Sequence, residues 1–77
     1  MFSLSEFRKL MHEMGEHYDI GSVKVIKRRK GYLTTKLSKA PSLESCINMM
    51  NRVCNLSNCF NEVKRVKPDS VTFAISY

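Results

Sequence analysis

Near the start of the chain, apolar residues recur every three or four positions: Leu4, Phe7, Leu10, Met11 and Met14. That period predicts a helix with one buried face. Its start is marked by Ser3-Leu4-Ser5-Glu6, a capping box, and by Phe2 and Phe7, placed to close over it as a hydrophobic staple. Arg8, Lys9, His12, Glu13 and Glu16 fall on the wet side, and the helix is expected to end between Gly15 and Gly21.

The period then changes to two. Val23 to Leu37 reads as a β-hairpin around Arg29-Lys30-Gly31, a three-residue loop with Gly at the left-handed position. In that register Arg28 opposes Tyr32. Val23, Val25, Leu33 and Leu37 point inward, and Lys24, Ile26, Arg28, Tyr32, Thr34 and Lys36 point outward. A two-residue Lys30-Gly31 turn is disfavoured, because it would mix apolar and charged side chains on both faces.

Pro41-Ser42 stops this hairpin and caps a second helix. Its stripe is Leu43, Cys46, Ile47, Met50, Val53 and Cys54, broken by Asn55, Ser57 and Asn58. A second hairpin follows, Phe60 to Val66 and Val71 to Tyr77, around Lys67-Pro68-Asp69-Ser70, which has Pro at the second position of a type I turn. Val71, Phe73, Ile75 and Tyr77 alternate inward with Thr72, Ala74 and Ser76 outward. In the third strand, whether Lys64 or Arg65 faces out depends on the loop before it.

The order is therefore αββαββ, with two αββ halves of about 1–40 and 41–77 in one domain. The expected class is α+β: a two-layer fold in which two helices cover one face of a four-stranded antiparallel sheet. The last strand carries no charged guard, so it is expected to be an exposed edge that recruits a second copy into a homodimer.

Charge changes the picture. Thirteen Lys and Arg against seven Asp and Glu give a net charge of +6 over 77 residues. Glu6, Glu13, Glu16 and Asp19 all lie in the first twenty. From Ile20 onward eleven basic residues face three acidic ones. A domain this polarised has a directional field whose sign suits phosphates. Lys24, Lys27, Arg28, Arg29, Lys30 and Lys36 cluster in the first hairpin around Tyr32, with Lys64, Arg65 and Lys67 in the second. Clustered cations neutralise phosphates with release of counterions, and an aromatic among them offers a base-stacking platform. Exposed cations on hairpins also guard strands against aggregation.

Candidate chemistry beyond this is sparse. His12, His17, Cys46, Cys54 and Cys59 lack the spacing of a zinc site. No third group orients a cysteine–histidine pair, and no glycine loop cradles a phosphate. The expectation is a non-enzymatic protein without cofactor or metal. An odd number of cysteines, no run of about 20 apolar residues and no leader pattern lead to a cytoplasmic expectation, with no membrane partner.

Arg29-Lys30-Gly31-Tyr32 resembles the opening of the third-strand signature of the RNA-recognition motif, a basic residue, Gly and an aromatic. The resemblance covers three residues; Leu33-Thr34-Thr35 replaces the later aromatic positions, and the order of elements differs. In composition the chain resembles small accessory proteins of large tailed bacteriophages, which implies nucleic-acid binding or inhibition of host defence enzymes, in the host cytoplasm. The leading expectation is a nucleic-acid-binding module, RNA or single strands before duplex DNA, because no basic recognition helix is apparent. The alternative is a protein-interaction module that docks its basic face on a host enzyme, such as an RNA-cleaving toxin, and inhibits it.

Overall fold

Helix α1 spans Leu4–His17, with Ser3 as its N-cap. The Ser3 hydroxyl accepts the Glu6 N–H at 3.3 Å, satisfying one of the donors that a helix start leaves free. Phe2 closes on Phe7 with ring centroids 5.5 Å apart, which makes the expected staple. Helix α2 spans Leu43–Ser57. Its N-cap is Ser42, and Asn58 ends it in the left-handed conformation at φ 55°, a conformation that asparagine tolerates. The computed structural model covers residues 1–77.

The four strands are β1 (Ser22–Arg29), β2 (Tyr32–Ser38), β3 (Phe60–Lys67) and β4 (Ser70–Ser76). They form one antiparallel sheet in the order β1-β2-β4-β3. The class and element order expected from the sequence are those observed. Phe7 and Met11 from α1, and Cys46, Met49, Met50, Val53 and Cys54 from α2, pack on Leu33, Leu37, Val71, Phe73 and Ile75 of the two central strands. Burial of large side chains such as Phe73 contributes about 1.5–3 kcal/mol each.

One expectation is overturned. β4 is not an edge: it pairs with β2 on one side and β3 on the other. The exposed-edge route to a dimer through Val71–Tyr77 is closed. The physical reason is charge. Edge strands carry cations that discourage further pairing, and here Lys24, Lys27, Arg28 and Arg29 sit on β1 and Lys64, Arg65 and Lys67 on β3, leaving the uncharged strand for the interior.

The hairpin tip is also corrected. From Ser22↔Ser38 to Lys27↔Leu33 the register is as expected, but it shifts between Lys27 and Arg29, so Arg29 and not Arg28 opposes Tyr32. Lys30-Gly31 is a two-residue turn, with Gly31 at φ 78°. A two-residue turn mixes the faces only under strict alternation; here a bulge at Arg28 absorbs the odd residue and keeps Val23 and Val25 inward. β3 has a second register shift, between Val63 and Arg65.

Candidate nucleic-acid interface

The sheet face away from the helices is open, and the strand pairings order it in cross-strand rows. Tyr32 and Phe60 flank Ser76. The next row is Ile26, Thr34, Ala74 and Glu62, then Lys24, Lys36, Thr72 and Arg65, then Ser22, Ser38, Ser70 and Lys67. Lys24 and Lys36 stand directly opposite one another, an arrangement that costs stability when nothing anionic lies between.

The two bulges bring consecutive cations onto this face. Strict alternation would send Arg28 and Arg29 to opposite sides, and Lys64 and Arg65 likewise. A bulge inserts one residue into one strand and re-aims its side chains. The Arg28 Nε donates to Thr34 Oγ1 at 3.1 Å, while the Arg29 guanidinium lies 4.7 Å from the centre of the Tyr32 ring. On the opposite edge, the Lys64 ammonium donates to the Tyr32 hydroxyl at 3.3 Å, and Arg65 stands beside Thr72.

Arg28, Thr34, Lys64, Arg65 and Thr72 line one groove of about 360 Å3. Three cations line it over two threonines, Thr34 buried and bonded to Arg28 and Thr72 half-buried, with no carboxylate and no apolar side chain. The cations come from opposite edges of a sheet only about 14 Å across at ordinary strand spacing, so their long side chains converge over the central threonines. Chemically, this is a set of cationic donors whose only partners are neutral hydroxyls, Thr34 for Arg28 and Tyr32 for Lys64, which leaves their charge for phosphate oxygens.

The expected site residues are thus not all brought together. Lys24, Arg28, Tyr32, Lys36, Lys64, Arg65 and Lys67 share the open face. Arg29 reaches it only by covering Tyr32. Lys27 opposes the inward-facing Leu33 and projects on the helix side, and Lys30 sits in the turn. Tyr32 is half-buried and held by Arg29 and Lys64, so it is a less open stacking platform than its sequence context implies. Phe60 was missed as a site residue. It is 76% exposed and shares the row of Tyr32 across Ser76, a placement that depends on the long-range β2–β4 pairing.

The cysteines play no part in this face. Cys46, Cys54 and Cys59 are free and buried, and the Cys59 N–H donates to the Cys54 carbonyl at 3.1 Å. Burial pushes the Cys46 thiol up. A hydrogen bond from Cys59 holds Cys54 below the ordinary thiol value, and the same contact, with burial, drives Cys59 up. No helix is long and apolar enough to cross a membrane. No protein-family model and no curated protein sequence matches the chain.

Proposed function

We propose that the protein binds single-stranded nucleic acid, RNA in the first instance, across the open sheet face. The observation that carries this reading is the groove of Arg28, Lys64 and Arg65 over Thr34 and Thr72, which no carboxylate enters. Cations arranged without counter-charges are unfavourable for the isolated fold and favourable against a polyanion. The exposed Phe60 ring favours single strands, since unpaired bases have a free face to stack. Most of the acid lies elsewhere: Glu6, Glu13 and Glu16 are on α1 and Glu44 is on α2. The helix layer therefore offers no basic element for a duplex major groove.

The test is titration of labelled single-stranded RNA, single-stranded DNA and duplex RNA at several salt concentrations. Single strands are expected to bind more tightly than duplex. The logarithm of affinity should fall linearly with that of salt, with a slope of about −0.7 per phosphate contacted. Changing Lys36, Lys64 and Arg65 together to Ser should flatten that slope and weaken binding while the fold persists, because all three are exposed. Wild-type protein that binds no nucleic acid at low salt would overturn the reading, and the basic face would then be assigned to an acidic protein surface, such as that of an inhibited host enzyme. The same titration, followed by sedimentation, tests the expected homodimer, whose contact would have to lie elsewhere than β4.

A further inference from the structure

Beside the cationic groove lies a second, smaller recess of about 250 Å3, between Tyr32 and Phe60, with Ala74 and Ser76 in its floor and Glu62 on its wall. Tyr32 and Phe60 both stand opposite Ser76, one from each side. Their backbones are therefore two strand spacings apart, about 10 Å. The floor between them is a methyl and a hydroxymethyl group, which leaves room between the two rings.

Glu62 makes this recess different from the rest of the face. It opposes Ala74, whose outward neighbours Thr72 and Ser76 are also small. It is the sole carboxylate on the open face; the other acidic residues lie on the helices, at Asp19 before β1 and at Asp69 in the β3–β4 turn. A lone negative charge beside a cationic groove repels a phosphate backbone. Against a group that presents hydrogen-bond donors rather than phosphate oxygens, the same charge is an acceptor.

We infer that this recess holds one unstacked guanine base, stacked on Phe60, with Glu62 reading its Watson–Crick edge. This deepens the proposed function and rests on it. An ionised carboxylate is an acceptor only, with two oxygens. Guanine presents two adjacent donors on that edge, the ring N–H and the exocyclic amine, which match the two oxygens as a bidentate pair. Adenine and cytosine present one donor beside an acceptor, and uracil a single N–H between two carbonyl oxygens. Bases in single strands are recognised in this way, by stacking combined with contacts to their exposed edges. Arg28, Lys64 and Arg65 lie close enough along the face to take the flanking phosphates.

The experiment compares fluorescence anisotropy for oligouridine of about nine nucleotides, a length within the usual single-strand site sizes, with the same strand carrying one central guanosine, adenosine or cytidine. The guanosine strand should bind at least about tenfold tighter than the others, the size of a good bidentate contact. Glu62→Gln should abolish that preference while leaving oligouridine affinity equal or higher, because it removes a repulsive charge. Phe60→Ala should weaken the guanosine strand by about tenfold or more. Equal binding of all four strands, or a guanosine preference that survives Glu62→Gln, overturns the guanine site and leaves the nucleic-acid reading standing. Failure of every strand to bind at low salt overturns both. Unchanged thermal unfolding of Glu62→Gln and Phe60→Ala, both at exposed positions, guards against a folding artefact.

Discussion

On β4, Val71, Phe73 and Ile75 point beneath the helices and are buried, while Thr72, Ala74 and Ser76 alternate with them on the open side. The same contrast runs through β2, where Leu33, Thr35 and Leu37 face in and Tyr32, Thr34 and Lys36 face out. One face has the apolar shapes that packing rewards. The other places like charges opposite one another, where mixed-sign pairs would stabilise the sheet better. Its opposed lysines do not serve stability, and that is the physical argument for the proposed ligand.

The largest test of this division is a pair of neighbours. Phe73 is fully buried, and Phe73→Ala should cost about 3–5 kcal/mol in urea unfolding, the usual loss for a buried aromatic. In a domain of this size that is most of the stability available. Thr72→Ala, one residue away on the open face, should stay within about 0.5 kcal/mol. Comparable losses at the two sites would mean that the open face is packed as a second core, and the contrast would collapse.

How much of this was legible follows from the same alternation. The helices, their caps and the inward sets of β2 and β4 could be read because period and burial agree there. The sheet order departs from the expectation, because the lack of charge on the last strand marks an interior position and not an unguarded edge. The bulges were missed although one left a trace. Val63 and Val66 are three apart, so strict alternation would put them on opposite faces. Only an extra residue lets both oppose inward partners, Phe73 and Val71. That extra residue, Lys64, is what gathers the cations. The recess between Tyr32 and Phe60 is beyond the reach of local pattern, because a β2–β4 pairing that no such pattern encodes brings the two rings together.

Adjacent threonines on β2 sharpen the comparison at smaller scale. Thr35 is buried under α2 and its hydroxyl donates to the Met50 sulfur at 3.8 Å. Sulfur is a weak acceptor, so Thr35→Val, which replaces the hydroxyl by a methyl of the same shape, should be neutral or stabilising by up to about 1 kcal/mol. It should leave RNA affinity unchanged. Thr34 is also buried, but on the opposite face, where it accepts from Arg28. Thr34→Val should release that guanidinium, cost about 0.5–1.5 kcal/mol of stability and weaken RNA binding. If the two variants behave alike in the binding titration, the groove is not organised by Thr34.

The smallest expected change in stability has the sharpest sign. Lys36 stands between Lys24 on β1 and Thr72 on β4, so Lys36→Glu turns a like-charge opposition into an opposite-charge pair. Cross-strand pairs of this kind differ by about 0.2–1 kcal/mol, and an exposed pair lies at the low end of that range. For a domain of this length the gain should raise the unfolding temperature by a few degrees, at about 4–8 °C per kcal/mol. It should shrink in about 1 M salt, where charges are screened within roughly 3 Å. RNA affinity should move the other way, falling most at low salt, with a shallower salt slope. A face selected for binding yields this opposition of signs, since removing a cation that only a ligand can satisfy relieves the free protein. A variant that is less stable at low salt, or one that binds RNA as the wild type does, would show Lys36 to be part of the fold's own balance of charges, and the open face would lose its claim to a ligand at that row.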